Sequence, residues 1–188
     1  MVRVIGGKAR GRRLALPKKG EIRPTSDFVR EALFNILGPQ DGKTWLDVYA
    51  GTGAVALEAL SRGADRAVFI ENSRSCCEAL RANIEKCGFS RKAEVLEMTA
   101  EQGVRLLAAR GQSFDVIFSD PPYSKGLAGA MPGIILKSGL ISAGGMLIIQ
   151  HSLREGLEID SGAWNVTDNR KYGDTEITIL IRAKGGET

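Results

Sequence analysis

From residue 44 onward the chain alternates short apolar runs with helical patterns, and that alternation admits few folds. Residues 44–49, 67–71, 93–96, 114–119 and 145–150 read as strands, and residues 54–62, 74–87, 101–109 and 127–137 read as helices between them. Strands separated by helices build a parallel sheet covered on both faces. The tail changes rhythm: residues 163–169 and 176–181 are β-rich runs around a turn at Gly173-Asp174. They predict a hairpin added antiparallel at the sheet edge. The expected fold class is therefore α/β, a doubly wound, mostly parallel sheet in one domain over residues 44–188. Ahead of it, residues 1–43 form a basic extension and a helix packed on that domain. The helix covers residues 28–37, with Thr25 or Ser26 as its cap, Val29, Leu33, Ile36 and Leu37 as its apolar stripe, and Gly38 as its stop.

Composition excludes several classes. No apolar stretch reaches the about 20 residues a membrane-spanning helix needs, and the first residues lack the apolar core of a secretory signal. Three cysteines, Cys76, Cys77 and Cys87, have no C-x-x-C spacing, which argues for a reduced, cytoplasmic setting without a disulfide framework or zinc site. Net charge is +4, unevenly spread: the first 20 residues carry +7 with no acid, and the rest −3. A basic arm on a nearly neutral body suits a polyanion, and glycines at 6, 7, 11 and 20 predict that it is flexible until it meets one.

The first strand ends in Asp47-Val48-Tyr49-Ala50-Gly51-Thr52-Gly53-Ala54, and a helix follows. Glycines here let the backbone turn tightly and approach a ligand, although Gly51-x-Gly53-x-x-Ala56 also fits a dinucleotide fingerprint. Two acids shift the balance. Asp47, before the glycines, would repel a pyrophosphate and welcome an ammonium; Glu71, ending the second strand, stands where an acid accepts from ribose hydroxyls. S-adenosylmethionine carries a ribose, an adenine and a cationic amino-acid portion and satisfies both.

Asp120-Pro121-Pro122-Tyr123 closes the 114–119 strand. Two prolines remove two backbone donors and fix two φ angles, leaving a stiff set of acceptors beside an aromatic face. Such a loop suits a flat ring with an exocyclic amine, which donates to Asp120 and a proline carbonyl while the ring stacks on Tyr123. The alternative is a proline-rich loop that simply ends a strand.

In this order and spacing, Asp47-x-x-x-Gly51-x-Gly53, Glu71 and Asp120-Pro121-Pro122-Tyr123 resemble class I S-adenosylmethionine-dependent methyltransferases acting on amino nitrogens. Flanking segments narrow the likeness: Ile5-Gly6-Gly7-Lys8-x-x-Gly11-Arg12, Arg23-Pro24-Thr25, the 30–37 run, the 57–64 run and Tyr172-Gly173-Asp174-Thr175. These resemble the bacterial 16S ribosomal RNA guanine-N2 methyltransferases, which modify guanine 966 of the small-subunit RNA. The resemblance implies a seven-stranded sheet with its last strand antiparallel, and a monomer acting on 16S RNA in an assembled or assembling subunit. It implies cofactor contacts from Asp47, Tyr49, Ala50, Gly51, Gly53, Glu71, Asn72, Met98 and Thr99. Thr99 stands where the family carries an acid facing the adenine amine. It implies a catalytic set of Asp120, Pro121, Pro122 and Tyr123, and RNA contacts from Lys8, Arg10, Arg12, Arg13, Arg23 and Thr25. No metal is required.

Three other functions share parts of this pattern. A DNA adenine-N6 methyltransferase would use the same amine clamp but needs more surface to flip a base from duplex. A nicotinamide-dependent oxidoreductase would use the glycine loop but leaves Asp47 and the Asp120 loop without a purpose. A non-catalytic RNA-binding assembly factor would not need intact acceptors at 120–123. His151, the only histidine, is expected at the polar rim of its strand end, and the cysteines as small packing residues.

Overall fold

The computed structural model describes residues 2–17, 26–122 and 126–183. Arg23, Thr25 and Tyr123 lie outside the described residues. Seven strands are ordered β3-β2-β1-β4-β5-β7-β6, and the chain divides into two compact units, Met1–Ala100 and Glu101–Thr188.

In the first unit, β1 (Thr44–Val48), β2 (Arg66–Glu71) and β3 (Ala93–Glu97) run parallel, with Thr44 opposite Arg66 and Ala67 opposite Ala93. Every residue of β2 after Arg66 is buried. Successive strand residues point to opposite faces, so both faces of β2 are covered, as parallel strands require. Helices α2 (Ala54–Ser61) and α3 (Arg74–Cys87) pack on β1–β3, and every residue of α2 is buried. Helix α1 (Asp27–Leu37) is capped by Ser26, whose Oγ accepts from Val29 N at 3.2 Å. Its buried stripe is Arg30, Leu33, Phe34 and Leu37 rather than Val29, Leu33, Ile36 and Leu37, and Ile36 is 40% exposed. The helix turns because Phe34 has a ring to bury, stacked on Trp45 at 5.6 Å, and because the Arg30 guanidinium finds acceptors in Arg3 O and Asp27.

In the second unit, β4 (Phe114–Ser119) pairs parallel with β5 (Ile141–Ser152), and β7 (Thr175–Arg182) lies antiparallel between β5 and β6 (Trp164–Tyr172). Helices α4 (Ala100–Ala109) and α5 (Leu127–Ser138) complete the chain. Strand β5 starts four residues before the 145–150 segment expected. Gly144 and Gly145 suggest a break, but the β4–β5 register shifts between Phe114 and Val116 and absorbs the extra residues as a bulge. The tail hairpin forms as expected, with β7 antiparallel to β5. No helix among the described residues is long and apolar enough to cross a membrane.

Candidate active site

At the carboxyl end of β1 the backbone enters a left-handed residue, Tyr49 (φ 66°), the only described non-glycine with positive φ. Such a conformation costs on the order of 1–2 kcal/mol and marks a loop over-determined by its surroundings. Gly51 and Gly53 follow at φ 55° and 75°. A Cβ on Gly53 would lie 2.3 Å from the Leu80 Cδ1, so a side chain there would add crowding to the strain of its positive φ. Helix α2 opens on Gly53 with no side-chain cap, leaving its first amides for other acceptors. Asp47 is buried beneath this turn, with Oδ2 3.4 Å from Ala56 N, rather than exposed to solvent.

Glu71 ties the loop to the next strand. Its carboxylate accepts from Gly51 N at 2.7 Å, Asn72 N at 2.9 Å and Ser73 N at 2.8 Å. A carboxylate offers about four acceptor sites, so three backbone amides leave room for one more donor. Met98 N donates to Glu71 O at 3.0 Å, which brings the end of β3 to the same edge, and Thr99 is exposed just before α4. The nine expected cofactor residues, Asp47, Tyr49, Ala50, Gly51, Gly53, Glu71, Asn72, Met98 and Thr99, thus gather at the carboxyl ends of β1, β2 and β3.

In the second unit, Asp120 and buried Pro121 follow the last residue of β4. Asp120 is part-exposed by area, but its carboxyl lies deep enough that burial pushes its pKa up to about 7. Gln150 Nε2 donates to Asp120 Oδ2 at 3.1 Å. The register explains the meeting: Ser119 faces Ile149, so the next residues, Asp120 and Gln150, come side by side. His151 is one residue on and points to the opposite face, where it is buried rather than at a polar rim. Its Nδ1 lies 3.1 Å from Ser152 O and 3.0 Å from Glu155 O, and its Nε2 3.0 Å from Thr178 Oγ1. It staples the turn after β5 and does not reach Asp120 through these bonds.

The basic N-terminus is folded rather than a flexible arm. Residues 2–14 form a hairpin, with Val4 N to Arg12 O at 2.9 Å and Leu14 N to Val2 O at 2.9 Å. Its dock is α2. The fully buried Glu58 carboxylate accepts from Ile5 N at 2.7 Å and Gly6 N at 2.8 Å, and from Arg62 Nε at 2.7 Å. Ser61 Oγ accepts from Ala9 N at 2.9 Å, and Gly7 sits so close that a Cβ would fall 1.8 Å from Ser61 O. Two separate sequence motifs, Ile5-Gly6-Gly7-Lys8 and the 57–64 run, are thereby two halves of one joint. Asn83, also fully buried, binds Ala15 on one side and Thr52 O of the glycine loop on the other. Lys8, Arg10, Arg12 and Arg13 stay exposed on the hairpin, beside a cavity of about 190 Å³ lined by Arg3, Val4, Ile5, Arg10, Gly11 and Glu31.

Sequence reasoning missed Gln150, Glu58, Asn83 and Arg30. Each is a polar residue interrupting an otherwise apolar inward stripe, a signal readable in the sequence whose partner is not. The three cysteines are free and buried, in keeping with packing roles, and burial pushes the Cys77 thiol up to about 11, which makes it unreactive.

The sequence model of the family described as conserved hypothetical protein 95 matches residues 2–181. Ribosomal RNA small subunit methyltransferase D of Escherichia coli K12 is 32% identical over 189 aligned residues, covering 100% of this chain and 93% of the relative. A solved structure of a hypothetical protein from Thermus thermophilus superposes with a TM-score of 0.81 at 35% identity, over 95% of this chain and 98% of that one. An RNA methyltransferase from Salinibacter ruber shares the fold at 15% identity, with a TM-score of 0.65 over 86% of this chain and 95% of that one. The 3-2-1-4-5-7-6 strand order, with β7 antiparallel to its neighbours, is the class I methyltransferase arrangement that the resemblance implied. By the match of nearly its whole length, the chain belongs to the conserved hypothetical protein 95 family, together with Ribosomal RNA small subunit methyltransferase D.

Proposed function

We propose that this protein methylates the RNA of the small ribosomal subunit, transferring the methyl group of S-adenosylmethionine to the exocyclic N2 of a guanine, at position 966. The observation that carries the proposal is Asp120: a carboxyl buried at the end of β4, held by a stiff proline turn and by Gln150, with a pKa near neutrality. The function in the name of the Escherichia coli relative supports RNA methylation; the base and its position rest on the amine clamp and the sequence resemblance.

The residues of the glycine loop fit the cofactor. Gly51 and Gly53 form a cradle without side chains, α2 begins without a cap, and Asp47 and Glu71 supply acceptors suited to an ammonium and to ribose hydroxyls. When bound there, S-adenosylmethionine supplies a methyl carbon already activated by its sulfonium. The chain's task is to hold and polarise the nucleophile.

Guanine N2 is a poor nucleophile because its lone pair is delocalised into the ring. Asp120 and the Pro121 carbonyl accept the two amine hydrogens, favouring a pyramidal nitrogen with a localised lone pair. Were the methyl carbon of a bound cofactor delivered to N2 as its bond to sulfur breaks, the positive charge would pass from sulfur to nitrogen. The positive charge now on nitrogen is stabilised by the Asp120 carboxylate, which takes up the departing proton and passes it to water. A carboxyl with a pKa near 7 suits that exchange. Tyr123 stacks on the base, and Lys8, Arg10, Arg12 and Arg13 on the docked hairpin, with Arg23 and Thr25, contact the RNA backbone.

Asp120→Ala is expected to lower tritiated-methyl transfer to 16S RNA by at least about 100-fold while calorimetric binding of S-adenosylhomocysteine changes less than about twofold. Full activity in the variant would remove Asp120 from the mechanism. Mass spectrometry of 16S RNA from a deletion strain, incubated as naked RNA and as subunits with the purified protein, locates the methyl group. Its appearance on DNA adenine instead would replace this reading.

A further inference from the structure

We propose that Gln150 is the positioning residue of the amine clamp: its amide N–H holds one oxygen of Asp120 and leaves the other to accept from the base. This rests on the reading of Asp120 given above and names the group that orients it. Gln150 Nε2 lies 3.1 Å from Asp120 Oδ2, and Oδ1 makes no hydrogen bond among the described residues. The pair is built into the sheet. Ser119 and Ile149 are in register on parallel strands, so the two side chains emerge at adjacent positions without a loop intervening. Gln150 is itself buried, and its strand is locked on the other side by β7, with Ile177 opposite. The staple formed by His151 fixes the following turn, which holds the end of β5 in place.

A carboxyl free to rotate offers its two oxygens to the substrate interchangeably and loses one of its rotamers on binding. With Oδ2 held by Gln150, Oδ1 is directed before the base arrives, which is the preorganisation that positioning requires. The same bond favours the charged carboxyl, because a donor to a carboxylate stabilises it. Burial alone raises Asp120. The titratable groups on β4, its sheet neighbours and the following elements are Asp115 on β4, Asp47 on β1, His151 on β5, Glu176 and Arg182 on β7 and Lys137 on α5. None of them contributes to the shift. The Gln150 N–H donated at 3.1 Å works against burial and keeps the carboxyl available as an acceptor.

The test uses the full chain with Gln150→Leu, which removes the donor at similar volume, and Gln150→Glu, which keeps the shape and adds a second acid. Carbon-13 NMR of the aspartate carboxyls, with Asp120 assigned by its loss in Asp120→Asn, reads the titration directly. Methyl transfer to 16S RNA across pH 6–9.5 reads its consequence. In Gln150→Leu, Asp120 is expected to titrate about one pH unit higher, and kcat at pH 7 to fall about fivefold and recover in alkali. Gln150→Glu is expected to move both further, since two adjacent carboxyls share a proton. S-adenosylhomocysteine affinity stays within about twofold in both, because Gln150 is not among the expected cofactor contacts. An unchanged Asp120 titration in both variants overturns the proposal. A titration that moves while the pH–rate profile does not would instead overturn the role of Asp120 in transfer and leave the Gln150–Asp120 bond standing.

Discussion

Asp120 is placed where burial works against its charged form. Desolvation raises its folded pKa to about 7 from the ordinary 3.8, so the folded protein binds a proton that the unfolded chain has already lost between those values. Its contribution to stability is fully present below about pH 4 and is lost as pH rises through about 7. Asp120→Asn removes the buried charge at alkaline pH and is expected to raise stability at pH 8 by on the order of 2 kcal/mol, a figure reduced for the water the residue still touches. The gain should vanish by pH 4. Urea midpoints of both proteins at pH 4 and pH 8 check this, and an equal gain at the two values would show that burial does not set the shift. Loss of methyl transfer in the same variant is the outcome the proposed role of Asp120 requires. Tyr49 belongs to the same class: a bulky residue held in left-handed backbone beside the glycine loop, where strain persists because β1 and α2 constrain it from both sides.

Among the elements, the joint between the N-terminal hairpin and α2 has the largest energetic consequence. Glu58 brings a negative charge into the middle of a fully buried helix, and it is tolerated because two hairpin amides and Arg62 surround it. The Arg62 guanidinium also lies 5.0 Å above the Phe34 ring, linking the joint to α1. Arg30, fully buried on α1, donates to Arg3 O at 2.6 Å and Asp27 Oδ1 at 2.7 Å, so the hairpin is held from a second side. Glu58→Ala leaves two hairpin amides and a partly buried guanidinium without acceptors. It is expected to cost about 2–4 kcal/mol in urea unfolding and to expose the hairpin to limited proteolysis before the rest of the chain. Cleavage at an unchanged rate within residues 2–15 would mean that the hairpin is held by its apolar residues, Val2, Val4, Ala9 and Leu14, instead. A rigid hairpin also means that RNA binding does not have to order a basic arm, which lowers its entropic cost.

At the scale of the molecule, charge is concentrated rather than large. A net +4 hides +7 over the first 20 residues, and five of those cations, Arg3, Lys8, Arg10, Arg12 and Arg13, are exposed on the docked hairpin. Replacing Lys8, Arg10, Arg12 and Arg13 by Gln is expected to reduce the slope of log affinity against log salt by about 3 for single-stranded RNA. S-adenosylhomocysteine affinity should be unaffected. A filter-binding salt series checks it, and an unchanged slope would assign the RNA contact to another face. Much of this architecture is legible in the sequence. The alternation of periods, the glycines that need positive φ, the acids at the ends of β1 and β2 and the proline turn after β4 are local properties, set by backbone sterics and by the side-chain period of each element. By itself, then, the sequence determined the α/β order of elements, the residues at the strand tips and the basic character of the N-terminus. Tertiary structure alone decided that the basic segment docks through Glu58 and Ser61, that Arg30 turns α1 inward, and that Gln150 reaches Asp120. Those are pairings between buried polar groups tens of residues apart, and periodicity marks a buried polar residue without saying which distant partner satisfies it.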